Sequence, residues 1–134
     1  MDMLAVGEQE GVFYENSKTK FSGITDGSSN TVLLGERSGE FSPSTTYLGG
    51  ETFFDSSWLG VVKDSDFSGW RVIAWTGEGP KNDIHVFAAF NSSHPDVTVM
   101  SFCDGSVHNI PDSIDWGIFN ALGTIAGDET IEEF

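Results

Sequence analysis

The stretch Val97-Thr98-Val99-Met100-Ser101-Phe102-Cys103-Asp104-Gly105-Ser106-Val107-His108-Asn109-Ile110 decides the fold. Two β-prone runs flank an Asp-Gly pair. A two-residue type I′ turn needs positive φ at both central positions, which Asp tolerates and Gly prefers, so the stretch predicts a tight antiparallel hairpin. That register sets Phe102 opposite Val107 and Ser101 opposite His108. Apolar side chains fall on both faces, which places the hairpin centrally in a sheet rather than at its edge.

Downstream, Pro111-Asp112-Ser113 reads as a helix start. Asp112 or Ser113 is the expected N-cap, and Asp115 suits the positive end of the helix. Ile114, Ile118, Ala121 and Leu122 share one face, and Gly123 supplies the stop. Gly117 inside the helix costs about 1 kcal/mol relative to Ala, so this helix depends on docking. Thr124 to Phe134 reads as an acidic tail or a last strand.

Upstream, Thr25-Asp26-Gly27-Ser28-Ser29-Asn30 is a dense turn signal. Thr31-Val32-Leu33-Leu34-Gly35-Glu36 follows as a short β-prone run. Further strand candidates are Trp58–Val62, Trp70–Trp75 and Ile84–Phe90, with an irregular Ser/Thr/Gly-rich loop over 42–57. Phe13 and Tyr14 are a weaker strand start. The expected class is α+β: an antiparallel sheet with a central Asp-Gly hairpin and a short C-terminal helix. Residues 1–134 form one soluble domain, of which 1–20 are a poorly patterned lead-in.

The composition agrees. The chain has 134 residues with 6 Lys plus Arg against 21 Asp plus Glu, a net charge of −15. Such a chain repels phosphate backbones and anionic bilayers, which argues against nucleic acid and membrane surfaces as partners. Metal ions and basic protein patches suit it better. It is not a disordered acidic tail, because aromatics make up 13% of it. Gly contributes 16 residues, as turn-rich β domains require. A single cysteine, Cys103, excludes an internal disulfide framework and a multi-Cys zinc site. No apolar run approaches the ~18 residues of a membrane span, and no signal peptide opens the sequence. Met1-Asp2-Met3 reads as an engineered start as much as a natural one, with any anchor expected upstream.

Several groups could carry chemistry. Asp64-Ser65-Asp66-Phe67-Ser68-Gly69 has the spacing of the first half of a calcium loop, in which Asp64, Asp66 and Ser68 converge on one hard cation. The second half is missing, since the twelfth position is Trp75, and a solvated turn is the competing reading. Asp26, Ser28, Ser29 and Asn30 could bind a cation, but such clusters mostly cap turns. His94 and His108 flank the hairpin. A metal site or His–carboxylate dyad at His94 needs a third group, for which Glu36 is the candidate. The competing readings are that His94 ties down its loop and that His108 pairs with Ser101 across the hairpin. His85 has no context. Cys103 reads as a small buried hydrophobe, with no cation nearby to activate it. The tryptophans read first as core and second as a glycan-binding groove.

Three stretches together resemble a large bacterial family of unknown function. His94, nine intervening residues and then Asp104-Gly105 resemble its His-x9-Asp-Gly signature. Ile24 to Glu36, with Asp26, Gly27, Asn30 and Glu36, is similar to its Ile-x-Asp-Gly-x-Ser-Asn-Thr block. Asp112 to Asp115, Ala121 to Thr124 and Ala126-Gly127 are similar to its C-terminal block. Family members carry a prepilin-type leader and a soluble C-terminal domain. The resemblance implies an extracytoplasmic pilin-like or pseudopilin-like headgroup, here without its N-terminal anchor helix, and no established activity. The expected role is non-enzymatic, in assembly or a secretion apparatus, with protein partners or self-assembly and calcium as a stabilising ion. The second reading is a solute- or glycan-binding module using Trp58, Trp70 and Trp75. The third is a hydrolase using His94, Asp104 and Glu36.

Overall fold

In a computed structural model of the chain, the described residues are 11–14, 17–37, 76 and 90–127. They form a single 3-10 turn at Phe21–Gly23, three strands and one helix. The strands are β1 (Val32–Gly35), β2 (Val97–Phe102) and β3 (Val107–Pro111), and the helix α1 spans Trp116–Ala121. The sheet is antiparallel in the order β1-β2-β3. The class is therefore α+β. The sequence candidates at Trp58–Val62 and Trp70–Trp75, the loop 42–57 and His85 lie outside the described residues. So does the fourth strand candidate except for Phe90, and so do residues 128–134.

β2 is the organising strand. Its Val, Thr, Met and Phe residues alternate between faces, as a pleated strand requires. Thr98, Met100 and Phe102 are buried, whereas Val97, Val99 and Ser101 are only half-buried. On the buried side they meet Val32 of β1, Ile110 of β3, and Phe119 and Leu122 from the helix and its C-cap. Phe90 and Ile114 pack at the margin of this core. Each fully buried large side chain contributes about 1.5–3 kcal/mol of hydrophobic stabilisation. A six-residue helix with a glycine in its first turn is held by this packing rather than by its own propensity.

The hairpin is present, but its turn differs from the sequence expectation. Ser101 pairs with Val107 and Met100 with His108, one residue out of the predicted register. Phe102 N donates to Ser106 O at 2.9 Å and Gly105 N to Phe102 O at 3.0 Å, which closes a three-residue loop over Cys103, Asp104 and Gly105. Gly105 alone takes the left-handed conformation, at φ +88°. This is a type I turn followed by a glycine bulge. The physical reason lies outside the hairpin. A two-residue turn would give the Cys103 N–H to Ser106, but Cys103 N instead donates to Thr31 O at 2.9 Å, and Asp104 N to Ser28 O at 3.0 Å. His108 is consequently not the partner of Ser101. β2 is the middle strand, as expected of a central hairpin, whereas β3 stands at the end of the described sheet.

The helix also begins later than expected. Asp115, not Asp112 or Ser113, is the N-cap: its Oδ1 accepts Gly117 N at 2.8 Å and Ile118 N at 3.2 Å. Residues 111–114 form a turn closed by Ile114 N donating to Pro111 O at 3.0 Å. The buried face is accordingly carried by Phe119, Ala121 and Leu122, while Ile118 is only half-buried. Phe13 and Tyr14 lie in irregular chain rather than a strand, because Tyr14 O already accepts Ser17 N at 2.9 Å in a turn.

The segment after the helix docks on the Thr25–Thr31 turns. Thr25 N donates to Ile125 O at 2.7 Å, and Val32 N to Leu122 O at 2.8 Å. Thr31, fully buried, donates its hydroxyl toward Gly27 O and Thr124 O at 3.1 and 3.3 Å. Thr124 to Gly127 is thus a strap rather than a strand or a free tail.

Candidate functional site

The motif residues segregate to the two ends of β2. At its start stand Glu36, Ser92 and His94; at its end stand Asp104, Ser106 and His108. Asp26 and Asn30 sit apart, under the strap.

Glu36 follows directly on β1 and replaces part of the ladder. Its N–H donates to Val99 O at 3.0 Å. A regular antiparallel pair would return a bond from Val99 N to the Glu36 carbonyl. Here that carbonyl accepts Asn91 N at 3.2 Å, and the Glu36 side chain folds back so that Oε2 accepts Val99 N at 3.0 Å. Oε2 also accepts the Ser92 hydroxyl at 2.8 Å, and Ser92 Oγ in turn accepts His94 N at 3.0 Å. Oε1 faces His94 Nε2 at 3.4 Å. The Val99 N–H is the chief influence holding the Glu36 carboxyl below the ordinary carboxylate range; Ser92 and His94 help, and partial burial opposes them. Close approach of Gly35 to Phe90 brings the strand end here: a Cβ on Gly35 would stand 2.5 Å from Phe90 Cδ1.

The chemical capacity follows from those bonds. Glu36 is a fixed anion at neutral pH with one oxygen committed to two donors. The Ser92 proton is directed to that anion, and among the described residues no imidazole nitrogen is bonded to Ser92 Oγ, so these residues do not set up Ser92 as a nucleophile. His94 remains 59% exposed, held at one nitrogen by a carboxylate. This is the His94–Glu36 approach that the sequence pointed to. Ser92 was missed, although the Ser92-Ser93-His94-Pro95 run marks a turn whose hydroxyls bind locally.

Asp104 is not brought to this cluster. Glu36 is bonded at Val99, and the chain from there to Asp104 extends about 16 Å at ~3.3 Å per residue. Asp104 Oδ1 accepts Ser106 N at 2.8 Å and Ser106 Oγ at 2.7 Å. These Ser106 bonds set its carboxyl below the usual range. With the Ser106 proton on Asp104, His108 Nε2 at 3.1 Å is the donor to Ser106 Oγ, the reverse of a base activating a serine. The His108 ring also meets Phe102 edge-on, with centroids 4.9 Å apart. Cys103 is buried, and burial first, then the Asp104 charge, raise its thiol pKa. Both effects disfavour the reactive thiolate.

Asp26 and Asn30 serve the strap. Asp26 Oδ2 accepts Gly127 N at 2.8 Å and Thr124 Oγ1 at 3.2 Å. Asn30 Nδ2 donates to Asp26 O at 3.1 Å. Gly27, at φ +98°, permits the turn that Asn30 N closes onto Gly27 O at 3.0 Å. Among the described residues, no group of three or more His, Cys, Asp or Glu side chains converges as metal ligands. Asp64, Asp66 and Ser68 lie outside the described residues, as do Trp58, Trp70 and Trp75.

Fold and site together define an α+β arrangement in which Asp26, Asn30, Glu36 and Asp104 are bonded to the chain's own backbone. Residues 5–117 match a family described as proteins of unknown function (DUF1559), and the chain belongs to that family. No curated protein matches the chain, and no solved structure does.

Proposed function

We propose that the chain is a non-enzymatic, extracytoplasmic domain of pilin-like or pseudopilin-like type, acting through protein partners or its own copies in an assembly or secretion apparatus. One observation carries the reading. Asp26, Asn30, Glu36 and Asp104 all commit side-chain atoms to main-chain partners, at 2.8–3.1 Å for the shortest bond of each. A motif used in this way preserves a shape, and shape is what an assembling subunit must keep constant. The −15 charge favours soluble, surface-exposed use and basic partner patches. In this reading calcium at Asp64, Asp66 and Ser68 stiffens the domain, on the strength of their spacing.

The test is made in the native host with the natural gene. A photo-crosslinking residue is introduced at exposed Leu34 or Val107. A ladder of crosslinked copies, or discrete adducts with envelope proteins, is expected, together with cleavage of a basic leader upstream. Monomeric, uncleaved, cytoplasmic protein would overturn the proposal. Absence of a calcium-dependent rise in Tm would remove the metal part alone.

A further inference from the structure

The chain contains two Asp-Gly steps, Asp26-Gly27 and Asp104-Gly105. Such steps are chemically fragile because glycine places no side chain in the way of its own nitrogen. That nitrogen attacks the aspartyl Cγ, the new N–C bond forms, and the carboxyl oxygen leaves as water. The product is a cyclic succinimide. Water then opens the ring at either carbonyl, giving back aspartate or giving isoaspartate, in which the main chain runs through Cβ. Nothing beyond water is consumed or released.

In this structure both reacting groups of the hairpin step are held. The attacking nitrogen, Gly105 N, donates to Phe102 O at 3.0 Å. The carboxylate accepts the Ser106 N–H and hydroxyl at 2.8 and 2.7 Å. His108 Nε2, at 3.1 Å from Ser106 Oγ, leaves the serine proton directed at Asp104. Ring closure must break these bonds. Asp104 is exposed, so burial offers it no protection from water and the hydrogen bonds are the restraint. At the other step the carboxylate is held from a distance: Asp26 Oδ2 accepts Gly127 N and Thr124 Oγ1.

We propose that Ser106 guards the Asp104-Gly105 step, locking the Asp104 carboxylate away from succinimide closure. The cyclisation runs from the neutral carboxyl, and Ser106 also keeps Asp104 in its charged form. The consequence of failure is structural. An extra methylene in the three-residue loop would misalign the pairing of Ser101 with Val107 and open the turn that Thr31 and Ser28 hold.

The experiment ages the full chain at neutral pH and body temperature and measures isoaspartate at each step by peptide mass spectrometry. Folded wild type should isomerise many-fold more slowly at Asp104 than the same chain in urea. Ser106→Ala should accelerate Asp104 several-fold while Asp26 stays at the wild-type rate, and Ser106→Thr, which keeps the hydroxyl, should behave as wild type. A folded wild type as labile as the denatured chain overturns the proposal. So does a folded S106A at the wild-type rate, or equal acceleration at Asp26, which would indicate general loosening. If S106A loses its far-UV signal, two measurements still decide between protection and none. Slow isomerisation in Ser106→Thr and in folded wild type relative to urea supports the proposal, and rates equal to those in urea overturn it.

Discussion

Thr98 offers the sharpest test of the core. It lies in the middle strand opposite Ile110, is 0% exposed, and its Oγ1 has no hydrogen-bond partner. An unmet buried hydroxyl costs about 1–3 kcal/mol. Thr98→Val replaces it with a methyl group, keeps the β-branch that suits a strand, and adds some apolar burial. A methyl is slightly larger than a hydroxyl, and crowding against Met100 and Phe102 offsets part of the gain. The expected net effect is a stabilisation of about 1–2 kcal/mol. For a domain of this size, each kcal/mol moves Tm by roughly 3–4 °C, so a rise of about 3–8 °C is expected. Urea unfolding followed by circular dichroism would show a higher midpoint at unchanged slope. Thr98→Ser, which keeps the hydroxyl and loses the methyl, should be destabilised by about 1 kcal/mol. If Thr98→Val proves less stable than wild type at unchanged slope, the hydroxyl has a partner and the reasoning fails.

Three further outcomes follow from the same structure. Glu36 has a folded pKa below its unfolded value of about 4.3, so its contribution is present above that pH and is lost as pH falls through the folded value; Glu36→Gln should flatten this acid limb in urea midpoints measured against pH. Asp112 is shifted the other way, by burial first and then by Asp96, and its Oδ1 is buried without a partner. Its folded pKa exceeds the unfolded one, so it stabilises at acid pH and that contribution is lost as pH rises through the folded value; Asp112→Asn should raise the urea midpoint at pH 7 and remove that slope. Ending the chain after Gly117, where the family match stops, removes Phe119 and Leu122, each 0% exposed and each contributing about 1.5–3 kcal/mol, together with the strap. Against a total stability of about 5–15 kcal/mol the shortened chain should lose its cooperative transition, seen as a flat thermal melt.

The hairpin, β1 and the helix were all legible in the sequence, because alternation, an Asp-Gly pair and an apolar cluster after a proline turn are local signals. What sequence reading missed was decided at long range. Asp-Gly fits both a two-residue turn and a three-residue loop with a glycine bulge; the Thr31 and Ser28 carbonyls, some seventy residues upstream, choose the second by taking Cys103 N and Asp104 N. The helix start moved to Asp115 because Pro111 to Ile114 are held in a turn, and with it the buried face moved onto Phe119. At the site, Glu36 was named because a dyad at His94 needs a further group, and the structure brings the two within 3.4 Å. That Glu36 also stands in for a missing ladder carbonyl was not anticipated, since no local pattern shows where a strand's last hydrogen bond goes.

The strap bears on how the molecule comes into being. Thr25 bonds to Ile125, and Asp26 to Gly127 across a separation of 101 residues. Contacts so distant along the chain cannot form while a ribosome still holds the C-terminal segment, and they raise the entropic barrier to folding. The β1 region must therefore wait, unfinished, until Ile125 and Gly127 have been synthesised. A segment built this way stays open until its own strap has been made, so the order of events in its birth is written into which carbonyls its turns receive.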